Sequence, residues 1–171
     1  MKYHLFFIVI LTFLIACGNE KVDPGYGVEF YLLESYDTLS NIWRYQIDES
    51  TVIPKEDPIV YYYDIFLYDS TEHIFHISDK AKNLISNLYP PVTGTAFALM
   101  VNSKLVYTGY FWPGYSSSNC DWMIIDPTQV EFANEMQVTA GYPGENDKLG
   151  IPDKRNDPLI IEMLSRDKKL L

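Results

Sequence analysis

Cysteine is nearly missing from this chain. Its 171 residues contain two, Cys17 and Cys120, so no disulfide framework can form and stability has to come from packing. Histidine is almost as scarce, with three residues. His73 and His76 form H-x-x-H, but the surrounding residues read as a strand, where positions three apart point to opposite faces. Zinc needs three or four ligands, so this pair alone makes no metal site and no cofactor is expected. Positive charge is also short. Thirteen basic residues face twenty-three acidic ones, a net charge of −10, which argues against nucleic acid as a partner and against broad attraction to anionic head groups. No apolar stretch reaches the roughly 20 residues of a bilayer-spanning helix. Internal repeats and low-complexity tracts are absent as well.

What is present starts at the beginning. Met1-Lys2-Tyr3-His4 is basic, Leu5 to Ile15 is almost unbroken apolar sequence, and Leu14-Ile15-Ala16-Cys17 closes it with a small residue before a cysteine. A charged start, a short apolar run and a small-residue cleavage site are the pattern of a secretory signal. The Leu-Ile-Ala-Cys ending resembles a bacterial lipobox. The resemblance implies removal of residues 1–16, lipidation of Cys17 and anchoring to an envelope membrane through the lipid. Residues 17–27 then read as lipidated cysteine and flexible tether, with Asp23-Pro24-Gly25 inside it. Residues 28–171 suffice for a single domain.

The domain reads as α+β, an antiparallel sheet with two main helices. Fourteen tyrosines and three tryptophans favour strands. Val28 to Glu34, Ile42 to Ile47, Ile59 to Asp69 (one strand or a bent pair), His73 to Ile77, Trp122 to Ile125 and Met136 to Ala140 are expected strands. Ala96 to Val101 and Leu105 to Phe111 flank the polar Asn102-Ser103-Lys104 as a hairpin. A helix over about 78–89 is predicted from Ser78 as N-cap, Asp79 in the first turn, and Ala81, Leu84, Ile85 and Leu88 on one face. Pro90-Pro91 stops it. Asp157-Pro158 opens a second helix over about 157–167, with Leu159, Ile160, Met163 and Leu164 on its apolar side. Gly141 to Asn156 is expected to be a long loop.

The order strand, N-capped helix and hairpin over residues 73–112, with Ala81, Phe97-Ala98-Leu99-Met100-Val101-Asn102 and Leu105-Val106-Tyr107-Thr108-Gly109, resembles the periplasmic head subdomain of the SecD export subunit. It implies a small α+β fold, not export activity. The whole is similar to small lipoproteins of Bacteroidetes-type bacteria. In that group Asp37-Thr38-Leu39 and Asp69-Ser70-Thr71 resemble O-glycosylation sites. Gly18-Asn19-Glu20-Lys21 matches only in part the acidic run of surface-exported members, which leaves the membrane face open.

Catalytic constellations fare poorly. Gly114-Tyr115-Ser116-Ser117-Ser118 lacks the second glycine of a nucleophile elbow and is followed by a strand rather than a helix. Cys120 sits beside Asp121, which opposes thiolate formation. Glu145, Asn146, Asp147, Asp153 and Asp157 share a region without the spacing of a calcium loop. Aromatics carry more. Tyr107 and Phe111 share one face of a strand and Tyr110 and Trp112 the other. Either both faces are buried, or one is an exposed contact surface, with Tyr110, Trp112, Tyr115 and Trp122 as its binding residues. The resulting expectation is a lipid-anchored envelope protein, at the outer membrane, acting as a non-enzymatic binding or assembly module for an envelope protein. Binding of a glycan or small ligand is the alternative, and an envelope hydrolase ranks third.

Overall fold

The structure, a computed structural model, describes residues 24–39, 42–144 and 150–171. The expected signal stretch 1–16, Cys17 and most of the expected tether therefore lie outside the described residues, as do Glu145, Asn146 and Asp147. Among the described residues no helix is long and apolar enough to cross a membrane.

The described residues fold as a mixed α+β single domain of two sheets and three short α-helices. Strands β1 (Val28–Ser35) and β2 (Ile53–Pro54) precede β3 (Ile65–Asp69) and β4 (Ile74–Ile77). Helix α1 (Asp79–Ser86) leads into β5 (Thr95–Val101), β6 (Lys104–Phe111) and β7 (Cys120–Ile125). Helix α2 (Pro127–Val130), β8 (Glu135–Gln137), β9 (Thr139–Tyr142) and α3 (Pro158–Arg166) complete it. The large sheet has the order β2-β1-β5-β6-β7-β9 and the small one β3-β4-β8. All pairs are antiparallel except β6–β7, which is parallel and paired only at Tyr110–Ile124 and Phe111–Ile125.

The main core lies between the sheets. Phe30, Phe97, Leu99, Phe111 and Met123 from the large sheet meet Tyr68, Phe75 and Met136 from the small one, with Ala81 and Ile85 of α1 and Ile160 and Leu164 of α3 closing the ends. Gly109 is required there. A Cβ on it would stand 2.6 Å from the Phe97 ring and 2.7 Å from the Met123 carbonyl, so only hydrogen allows that ring to lie across β6.

Local signals explain the helices. The Ser78 hydroxyl accepts from the Ala81 N–H, and the Asp157 carboxylate accepts from Leu159 N–H ahead of Pro158. Helix α1 is shorter than its apolar pattern predicts. Asn87 caps it, and Tyr89 turns left-handed (φ 44°) before the prolines; of its apolar face Ala81 and Ile85 are buried, whereas Leu84 is exposed. The hairpin turn is made by Asn102 and Ser103, both at positive φ, as two-residue hairpin turns demand.

Four expectations are corrected. Ile42 to Ile47 is not a strand; its ladder is reduced to a single Thr38–Ile47 bridge, because its aromatics serve as a cover instead. Ile59 to Asp69 is broken by a 3-10 turn at Tyr62–Asp64, leaving only β3. His73 sits in the turn before β4 at φ 56° rather than in the strand. Met136 to Ala140 proves to be two strands in different sheets. Val138 is the crossing point, its N–H bonded to the His73 carbonyl and its carbonyl held by buried Arg155.

Candidate functional site

The outer face of the large sheet carries a second core: Leu33, Ala96, Ala98, Tyr110, Trp112, Cys120, Trp122 and Ile124, with Ile47 laid over it. Among the described residues no α-helix contributes to this cluster. A strap formed by residues 36–39 and 42–52 crosses it. Leu39 N–H bonds to the Gln46 carbonyl and Asp48 N–H to the Asp37 carbonyl, which closes the strap into a narrow loop. Its aromatic side chains pack down on the sheet. Tyr45 meets the Trp112 ring edge-on at 5.0 Å and Tyr110 at 5.7 Å, and Trp43 lies 5.9 Å from Trp122. Ala96 and Ala98 provide the room: they face Tyr110 and Thr108 across β5–β6, and small residues opposite large ones let the layers interdigitate.

One carboxylate fastens the strap. Asp121 accepts from Arg44 N–H at 2.8 Å on one oxygen and from Tyr45 N–H at 2.9 Å on the other. Two charge-assisted bonds to adjacent amides fix both position and direction of that backbone. The clamp stands beside a polar hollow of about 470 Å³. Arg44, Tyr45 and Asp121 form one wall; Ser117, Ser118 and Asn119 form another; Tyr142 and Pro143 close it. The Arg44 guanidinium lies 5.2 Å from the Tyr45 ring centre, a cation–π contact that holds the charge at the rim. Ser116 secures the opposite wall from below, donating to the Val92 carbonyl at 2.6 Å and accepting from Ser118 N–H. Tyr142 donates its hydroxyl to the Gly114 carbonyl at 2.7 Å.

A second crevice, of about 370 Å³, opens where β6 and β7 part below their two paired residues. Tyr107, Trp122, Met123 and Ile47 line it, and a 2.8 Å Lys154–Glu49 ion pair stands at its rim.

These positions sort the residues singled out by sequence. Trp112 is 0 % exposed, and Tyr110 and Trp122 are buried with it; Trp122 donates its indole N–H to the Thr108 hydroxyl at 3.1 Å. The exposed platform expected of them is thus not formed, because the strap occupies the face they would have presented. Tyr115 alone of the four is exposed, at 61 %, its hydroxyl bonded to the Pro90 carbonyl beside exposed Tyr89 and Val92. Cys120 is buried under the strap, and burial pushes its thiol up to about 12, which disfavours the thiolate a nucleophile needs. Of the serines at 116–118, Ser116 has its hydroxyl engaged with backbone groups, the Val92 carbonyl and the Ser118 N–H. Asp153 is spent on Arg155, whose hydrogen bonds hold its carboxyl below the ordinary value, and Asp157 is a helix cap. Among the described residues no three His, Cys, Asp or Glu side chains gather to hold a metal ion. The residues that build the hollow and went unread in the sequence are Arg44, Tyr45 and Tyr142. Their only trace was a surplus of aromatics beyond what one sheet face can bury. Comparison of the chain with known protein families, with curated proteins and with solved structures found no match.

Proposed function

We propose that this chain is a lipid-anchored bacterial envelope protein that binds a ligand or partner without transforming it, and that the strap hollow is where it binds. The address rests on the Met1–Cys17 pattern, with outer-membrane attachment through Cys17. The binding reading rests on one observation, the Asp121 clamp. A carboxylate devoted to two strap amides makes a preorganised wall, and preorganisation lowers the entropic cost of binding. The wall sets a guanidinium and a tyrosine edge across from two hydroxyls and an amide. Such a set suits a hydroxyl-rich ligand, such as an envelope glycan, better than an apolar one.

The test is titration calorimetry of the purified chain against envelope glycans, repeated with Arg44→Ala and Asn119→Ala. Saturable binding that weakens tenfold or more in both variants supports the reading. A second reading, docking of an envelope protein, is favoured by the exposed Tyr89, Val92 and Tyr115 beside the same loop. Photo-crosslinking from Ser117 and from Tyr115 in cells separates the two. Reproducible capture of one envelope protein from Tyr115, with no glycan bound, replaces the hollow by that surface.

A further inference from the structure

The acidic total of the chain conceals a basic pole, and that pole lies where the tether enters the domain. Gly25 and Gly27 both adopt positive φ, 98° and 82°, and the segment is pinned from two sides. Gly25 N–H donates to Glu29, the Ser103 hydroxyl reaches the Gly25 carbonyl at 3.3 Å, and Gly27 N–H donates to the Asn102 side chain at 2.9 Å. A Cβ on Gly27 would collide with the Tyr62 ring. The chain therefore enters at a fixed place, between the β5–β6 hairpin tip and the end of α3.

Cations border that place. Lys104, exposed, follows Ser103 at the hairpin tip. Arg166, at the C-terminal end of α3, donates to the Tyr26 hydroxyl at 2.9 Å with its guanidinium 5.8 Å from the Tyr26 ring. Exposed Lys168 follows in the left-handed turn after the helix. Asp167, the acid between them, is ion-paired with Arg166 and accepts from the Tyr62 hydroxyl, so that pair is neutral and the net positive charge at the border comes from Lys104 and Lys168. Tyr26 itself is 54 % exposed, an aromatic with a polar tip of the kind that settles at the membrane–water boundary.

We propose that this pole, with Tyr26, Lys104, Arg166 and Lys168, rests on phospholipid head groups and orients the domain on its membrane. The inference rests on the lipid anchor proposed above. Residues 18–23 are all that separate Cys17 from Pro24, and at about 3.5 Å per residue the pole cannot stand more than roughly 25 Å from the lipidated cysteine. Within that reach, cations and an exposed tyrosine meet phosphates, while the acidic remainder of the surface is repelled and turned outward.

The test places a nitroxide on the full lipidated chain at Ser103→Cys or, as control, at Thr93→Cys, beyond the opposite end of β5. Cys120 is buried and Cys17 lipid-blocked, so each variant takes one label. The protein is reconstituted in vesicles of phosphatidylethanolamine and phosphatidylglycerol, and collisional access to oxygen and to a water-soluble relaxant gives depth. The expected result is a Ser103 label at head-group depth and a Thr93 label in water. Lys104→Glu with Lys168→Glu should return the Ser103 label to water while the protein still floats with the vesicles. Flotation with both labels in water overturns the pole alone. Failure to float overturns the anchor, and the proposal with it.

Discussion

At the scale of single residues, burial decides what each aromatic can do. Trp112 lies against Tyr45, Tyr110 and Tyr142 and is fully enclosed, so its truncation leaves a cavity under the strap. Trp112→Ala should lower the unfolding free energy by about 3–5 kcal/mol, read as an earlier urea midpoint. An unchanged midpoint would mean the ring is not core. Asp167 offers a sharper probe. Hydrogen bonds from Arg166, then from the Tyr62 hydroxyl, depress its carboxyl to about 2. A depressed carboxylate stabilises the fold above its unfolded value, near 3.9 for an aspartate, and that contribution is lost as pH falls through about 2. Carboxyl NMR titration should find the low midpoint, and Arg166→Gln should move it up. A midpoint near 4 in the unaltered protein would show that the pair does not form in solution.

At the scale of elements, the strap is the part that local sequence hides. Helix α1 was legible because Ser78, Asp79 and the three- and four-residue apolar spacing all act within a few residues of chain. The β5–β6 hairpin was legible for the same reason, its turn residues standing between two apolar runs. Ile42-Trp43-Arg44-Tyr45-Gln46-Ile47 carries the composition of a strand, yet what holds it is a carboxylate far along the chain at Asp121. No local rule connects the two. The same long-range closure turned Tyr110, Trp112 and Trp122 from candidate contacts into core. Asp121→Ala should loosen the strap without unfolding the sheet. Amide exchange at Arg44 and Tyr45 should accelerate at least tenfold while the β5–β6 amides keep their protection. Uniform acceleration across the sheet would instead make Asp121 part of the global fold.

At the scale of the whole molecule, two sheets share one core and a proposed lipid supplies the address. Cys17→Ala should shift the protein from the membrane pellet to the soluble fraction; continued tight association would remove the anchor from the account. The fold class was readable from aromatic content and strand spacing, whereas the division into two sheets was not. That division hangs on Val138 and Arg155, a joint between strands with no compositional signature. The order of the large sheet has a further consequence, in time rather than in space. Strand β1 takes β5 as its partner, from Val28–Val101 to Leu32–Phe97, with residues 36–94 intervening, and closing so long a loop precedes any gain from the pairing. The β5–β6 hairpin can form within microseconds, but a sheet dominated by distant pairings assembles in milliseconds to seconds. Pulse-labelled hydrogen exchange during refolding should therefore protect Phe97 and Leu99 on the hairpin side before Glu29 and Tyr31, the β1 residues whose amides face β5, since Phe30 N–H is bonded to the Val60 carbonyl on the other edge. Equal protection would mean that β1 and β5 find each other first. During synthesis β1 emerges early and has only the two residues of β2 and a bridge to Val60 to pair with until Thr95 follows, so one edge of an apolar strand has to be kept from other partners while residues 36–94 are made.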